Sequence, residues 1–230
     1  MSPKRPAPAW SSEVLAATWQ SASLLLGYPD ERLRQQLPVV RDAVGLLPDE
    51  LRLPLAGVVD HVARTSLGAL QEAYVETFDS RRRCNLFLTY FLHGDTRKRG
   101  VALLRFKQTY LRSGLVLDDS ELPDHLCVVL EYAATVDQQL GWQLLLDHRA
   151  GLELLRLSLR EQESPWAGAV EAVTGTFPPL RGDEWDAVRA LAAEGPPAEE
   201  VGLTPYGTPA FDAALAEKTV DLPMPRVRGE

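Results

Sequence analysis

Apolar residues recur at helical spacing along most of the chain. Leu15, Trp19, Ala22 and Leu26 share a face behind Ser11, which predicts an N-cap with Glu13 in the first turn, and Gly27-Tyr28-Pro29 stops that helix. Asp30 predicts the cap of a second helix carrying Leu33, Leu37, Val40, Val44 and Leu47. Pro38 is expected to kink or split it, because proline has no N–H to donate. Asp49 opens a third helix with Leu51, Leu55, Val58 and Val62 inward, and residues 66–79 form a fourth that buries Leu67, Leu70, Tyr74 and Phe78. The run Leu86, Phe87, Leu88, Thr89, Tyr90, Phe91, Leu92 is apolar enough for a strand. With helical neighbours and no partner strand in the sequence, it is assigned to a buried helix.

Asp95 begins the next helix, through Leu103, Phe106 and Tyr110 to a C′ glycine, Gly114. Another starts at Pro123, a residue well tolerated at N1, and uses Leu126, Val129, Leu130, Ala133 and Val136. Leu145, His148, Leu152, Leu155 and Leu159 predict one long helix. Ser164-Pro165 opens a helix through Trp166, Val170 and Val173, and Asp183 a short one through Trp185, Val188 and Leu191. No hairpin signal and no internal repeat is present. The pattern predicts an all-α protein, a single globular bundle of about eight to ten helices over residues 11–194. Residues 1–10, with three prolines, are expected to form a mobile arm. Residues 195–230 hold six prolines and little periodicity, so they are expected to be disordered or to lie along the bundle.

Charge changes this picture. The chain of 230 residues has 24 Lys plus Arg against 32 Asp plus Glu, a formal net charge of −8. That total alone argues against a nucleic-acid binder. Residues 80–114, however, contain nine basic residues (Arg81, Arg82, Arg83, Arg97, Lys98, Arg99, Arg105, Lys107 and Arg112) and one acid, Asp95. That stretch carries +8, so the remaining 195 residues carry −16. Arg97, Lys98 and Arg99 fall in the first turn of their helix, where the macrodipole disfavours cations. Two readings stand: a solvated basic face, or a surface for an acidic partner or phosphate-bearing ligand.

Candidate chemistry is sparse. Cys84 and Cys127 form no CxxC and lie in apolar runs, which predicts buried thiols in a reducing compartment. The longest uncharged stretch, residues 14–29, is short for a membrane span, and a cytoplasmic protein is expected. There is no HExxH, GxSxG or glycine-rich phosphate loop. His93-Gly94-Asp95 fits either a ligand turn or a glycine bend with Asp95 as helix cap. Asp124-His125 lacks the further spaced histidines of a metal phosphohydrolase, and Asp124 reads as compensating a helix dipole. Tyr74, Phe78, Tyr90, Phe91, Phe106 and Tyr110 are expected mostly in the core, with one or two lining a groove for an apolar helix. No catalytic residue and no metal site is assigned.

Several ordered blocks resemble a known family. Tyr74-Val75-Glu76-Thr77-Phe78-Asp79, Arg81-Arg82-Arg83-Cys84, Leu88-Thr89-Tyr90, His93-Gly94-Asp95-Thr96 and Leu103-Leu104-Arg105-Phe106-Lys107 are similar to the nitrate reductase molybdenum-cofactor assembly chaperones, the delta subunit or NarJ family. Glu121-Leu122-Pro123-Asp124-His125-Leu126, followed by Leu130-Glu131-Tyr132, resembles a second signature shared with the wider TorD/DmsD group. Weaker blocks at residues 148–152 and 197–203 extend the likeness, and the tail beyond Leu203 matches little.

The resemblance implies a helical, non-catalytic, cytoplasmic chaperone for nitrate assimilation, with unfolded-protein binding as its activity. It implies binding to the N-terminal peptide of the apo catalytic (alpha) subunit of respiratory nitrate reductase, held ready for insertion of its molybdenum cofactor. The cofactor belongs to the client, and the chaperone binds none stably. Neither nucleic acid nor direct membrane insertion is implied, and the oligomeric state is left open. Carried over by position, Tyr74, Phe78, Arg81, Arg82, Arg83, Tyr90, His93, Asp95, Pro123, Asp124, His125 and Glu131 form the implied partner-binding set. Two expectations follow. His93 or His125, titrating near neutrality, makes client affinity pH-dependent. Charge reversal at Arg81, Arg82 and Arg83 weakens client binding with little change in melting temperature. The alternatives are a helical scaffold binding an unrelated acidic surface, and a nucleotide-binding enzyme using the His93–Asp95 turn.

Overall fold

A computed structural model describes residues 8–94, 96–117 and 121–195. These residues form eleven α-helices and no strand: α1 (Ser12–Leu26), α2 (Glu31–Gly45), α3 (Asp49–Arg64), α4 (Leu67–Tyr74), α5 (Tyr90–His93), α6 (Arg97–Arg112), α7 (Leu126–Thr135), α8 (Gln138–Asp147), α9 (Arg149–Glu161), α10 (Ala167–Gly175) and α11 (Gly182–Glu194). The expected all-α bundle is therefore present. Side-chain caps fix several boundaries. Ser11, Asp30, Ser66 and Asp137 each accept from a backbone N–H in the first turn of α1, α2, α4 and α8. All described residues lie within one unit, residues 1–198. Residues 1–7 and 196–230, which include most of the expected arm and nearly all of the tail, lie outside the described residues, as does Asp95. Trp10, the last residue of that arm, packs on the core, and its indole donates to the Gly175 carbonyl at 3.2 Å.

The core is built around α1, which packs against α7, α10, α2 and α3. Trp19, Trp166, Tyr110, Tyr132, Phe91 and Phe106 are among its largest fully buried side chains. Several buried polar atoms are tied to backbone or to one another. The Trp19 indole donates to Thr176 Oγ1 at 3.2 Å, and the Tyr74 hydroxyl donates to the Leu26 carbonyl at 2.9 Å. No helix among the described residues is long and apolar enough to cross a membrane.

Five elements differ from the periodicity reading. Helix α2 runs unbroken past Pro38, whose exposed position lets water take the carbonyl that a proline cannot satisfy. The fourth helix ends at Tyr74, and its last turn is a π-turn, Val75–Asp79, closed by the Ser80 N–H on the Val75 carbonyl at 3.2 Å. The run from Leu86 is helical only over Tyr90–His93; Phe87 instead forms an isolated antiparallel bridge with His125. Helix α7 starts at Leu126 rather than Pro123, because the Leu126 N–H donates to the Leu86 carbonyl at 2.8 Å. The single long helix around His148 is two helices, α8 and α9. They break at His148 (φ −109°, ψ 16°), so that α8 packs on α7 while α9 packs on α10 and α11. Counting α5 and this break brings the total slightly above the expected range.

Candidate functional site

The bridge between Phe87 and His125 organises the site. Leu88 N–H donates to the Asp124 carbonyl at 3.0 Å, and Leu126 N–H to the Leu86 carbonyl, so the segment around residue 87 and the turn before α7 are stitched together. The Tyr110 hydroxyl of α6 donates to the Pro123 carbonyl at 2.6 Å. Asp124 is fully buried; its Oδ2 accepts from the Thr89 N–H at 3.2 Å and from the Thr89 hydroxyl. Arg99 Nη2 lies 3.7 Å from the same oxygen, while Arg99 Nε donates to Thr89 Oγ1 at 3.3 Å and the guanidinium covers the Phe87 ring at 5.1 Å. Asp124 thus braces the turn instead of offsetting a helix dipole, and Arg99 serves the interior instead of a solvated face. A carboxylate without such partners would be costly to bury.

This bracing sets the rim of a cavity of about 300 Å³ lined by Tyr74, Phe78, Asp79, Asn85, Leu86, Phe87 and His125. The Tyr74 and Phe78 rings pack 4.6 Å apart between centroids, tilted by 50°, and both meet Trp166 edge-on. The His125 imidazole meets Phe87 edge-on at 5.1 Å. Burial pushes the His125 pKa below the usual 6.5, against the opposing pull of Glu121 and Asp124. It is therefore neutral at physiological pH. Burial also raises the Tyr74 phenol well above its ordinary value. The cavity offers aromatic walls, a neutral imidazole with donor and acceptor nitrogens, and the Asp79 carboxylate.

The implied partner-binding set divides in space. Tyr74, Phe78 and His125 line the cavity. Pro123, Asp124 and Tyr90 are buried around it, with Tyr90 against Phe91. Arg81, Arg82 and Arg83 are exposed, but Arg81 is paired with Glu76 at 3.0 Å and with Gln162, and Arg83 donates to the Ala192 carbonyl of α11 at 2.9 Å. Glu131 is exposed on α7. His93 lies elsewhere, in a groove of about 550 Å³ with Arg105, Arg112, Asp147 and His148; its pKa is lowered by burial and then by Lys98 and Arg105. Gly94 has φ 53°, so the His93–Asp95 turn uses glycine for its left-handed backbone. Phe87, Asn85, Thr89 and Arg99 were absent from the sequence-derived set. The available signal for an extended segment was the apolar run from Leu86, dense enough for a strand; in the structure Leu86 and Leu88 are buried on either side of half-buried Phe87. Cys84 is buried and Cys127 partly so, and both are free thiols. No group of three or more His, Cys, Asp or Glu that could hold a metal ion occurs among the described residues.

Residues 45–172 match the family described as nitrate reductase delta subunit. The nitrate reductase-like protein NarX of Mycobacterium tuberculosis (strain H37Rv) is 39% identical over 158 residues, covering 69% of this chain and 24% of its own length. The chain thus spans about a quarter of that relative. The "Probable nitrate reductase molybdenum cofactor assembly chaperone NarJ" of Bacillus subtilis (strain 168) is 34% identical over 151 residues, 65% of this chain and 82% of that protein. The "Nitrate reductase molybdenum cofactor assembly chaperone NarJ" of Escherichia coli (strain K12) is 34% identical over 148 residues, 63% of each. Among solved structures, a redox enzyme maturation protein from Archaeoglobus fulgidus superposes with a TM-score of 0.51 and 25% identity, covering 74% of this chain and 96% of that one.

Proposed function

Because the chain belongs to the nitrate reductase delta subunit family, and its relatives in Bacillus subtilis and Escherichia coli are named molybdenum cofactor assembly chaperones, we propose that it is a client-specific, non-catalytic chaperone of the cytoplasm. It binds the N-terminal segment of the apo catalytic subunit of nitrate reductase and keeps that subunit open to insertion of its molybdenum cofactor. The cofactor is the client's cargo and is not held stably by this chain. The observation that carries the reading is the aromatic cavity at Tyr74, Phe78, Phe87 and His125, in which Tyr74, Phe78, Asp79 and His125 come from the blocks that carry the family likeness.

Chemically, the client segment docks as an amphipathic helix. An apolar side chain enters the cavity and meets the aromatic faces, while the His125 imidazole and Asp79 carboxylate take polar groups at its edge. Of the remaining implied residues, Arg82 and Glu131 lie exposed and are available for rim contacts, whereas Asp124, Pro123 and Tyr90 act through the shape of the cavity. Calorimetric titration of the full chain with a synthetic peptide of the client's N-terminus tests this. Saturable one-to-one binding is expected, weakened roughly 30-fold or more by Phe78→Ala or His125→Ala, as for buried interface anchors. Absence of binding, or affinity untouched by both substitutions, would remove the cavity from the function.

A further inference from the structure

We propose that the outward face of α6 is a peripheral docking surface for an anionic lipid bilayer. The helix has six arginines and lysines and no carboxylate in sixteen residues. Its inner face is spent on the core: Phe106 and Tyr110 are buried, and Arg99 turns inward to Asp124. At 100° per residue the opposite face collects Val101, Leu104 and Leu111, which are 60%, 57% and 57% exposed. Arg97, Arg105 and Arg112 are exposed on and beside this row, and Lys107 on its other side. Leu111 also shares a hollow of about 90 Å³ with Leu115 and Val116, and Val116 is 76% exposed. An aliphatic row standing in water between cations is the arrangement of a helix that lies in a bilayer interface, with apolar side chains among the acyl carbons and basic heads at the phosphates.

Two features favour a bilayer over an acidic protein helix. The helix lies at the edge of the bundle with α5 as its principal helix neighbour, so Val101, Leu104 and Leu111 stand proud, with Arg105 and Arg112 on the flank that borders the His93 groove. A flat, deformable surface meets such a row along its whole length. The cations are spread along several turns of α6, matching a continuous anionic plane instead of a few carboxylates. Among the described residues, Asp147 shares the groove with Arg105 and Arg112, and Glu121 is exposed beyond the loop after α6; in the sequence Asp95, Asp118 and Asp119 flank the helix. The rest of the chain's −8 is screened beyond about 8 Å at physiological salt.

The test is co-sedimentation of the full chain with vesicles of phosphatidylglycerol mixed equally with phosphatidylcholine, against phosphatidylcholine alone. Binding to the anionic vesicles is expected, falling steeply with added salt, and little binding to the neutral ones. Each surface cation contributes about fivefold in partitioning, so Arg105→Glu with Arg112→Glu should lower it at least tenfold. Leu104→Gln with Leu111→Gln should also release the protein, with an unchanged melting curve. These residues are outside the aromatic cavity, so client-peptide affinity should be preserved in both variants; its loss would speak against the client reading and not this one. Equal sedimentation with both lipids, no sedimentation with either, or retention by an acidic amphipathic peptide but not by anionic vesicles overturns the proposal. Should the leucine variant unfold, the salt series on the unaltered chain and the arginine variant decide alone.

Discussion

At the scale of single residues, the family blocks contain two kinds of side chain that only burial separates. Asp124 and His125 are adjacent, yet Asp124 is sealed inside on Thr89 and Arg99 while His125 faces the cavity. Asp124→Ala leaves Arg99 and the Thr89 donors without their shared acceptor, and is expected to cost about 2–4 kcal/mol in urea unfolding. Asp124→Asn, which keeps an accepting oxygen, should cost less. The histidines carry a pH signature. All four, His61, His93, His125 and His148, have folded pKa values lowered chiefly by burial. Below the unfolded value of 6.5 the unfolded chain takes up protons that the folded chain refuses, so stability falls with pH there and is level above about pH 7. The urea midpoint measured across pH 5–8 checks the sign. Client affinity should likewise be flat from pH 7 to 8 and decline below 6.5, a decline that His125→Gln abolishes; this lowers the pH window that the sequence suggested. For the arginines, Arg82→Glu is the clean probe of client contact, since Arg83→Glu also removes a donor to the Ala192 carbonyl and costs about 0.5–1.5 kcal/mol.

At the scale of elements, helix spacing located most helices within a few residues, because α1, α2, α3 and α4 bury one face each and local side chains cap α1, α2 and α4. It failed where a distant partner decided. The bridge at Phe87 requires His125, which lies 38 positions onward, and the break at His148 leaves the apolar spacing unchanged while redirecting the chain. Helix–helix approach was equally hidden. A Cβ on Gly141 would lie 2.3 Å from Ala133 Cβ, so α7 and α8 touch through that glycine. Gly141→Ala should therefore lower stability by about 1–3 kcal/mol. At Gly57, in the middle of α3 with nothing within 4 Å of an added Cβ, the same change should raise it by up to about 1 kcal/mol. Thermal melts of the two variants should shift in opposite directions.

At the scale of the whole molecule, charge separates two surfaces whose responses to salt should differ. Client-peptide affinity, carried by aromatic burial, is expected to change little between low and physiological salt, whereas α6-dependent adsorption should collapse. Calorimetry and sedimentation in the same buffers compare them. The +8 of residues 80–114 proved to be spent in different ways: Arg99 on the interior, Arg81 and Arg83 on neighbouring helices, and Arg97, Arg105 and Arg112 on the exterior. By itself the sequence determined the helical class, most helix positions and the family, because periodicity, caps and ordered motifs are written in neighbouring residues. The tertiary structure alone decided which motif residues brace the turn and which line the cavity. That division rests on contacts between segments far apart in the chain: Thr89 with Asp124, Tyr110 with Pro123, Phe87 with His125. No local pattern encodes the burial that those contacts create.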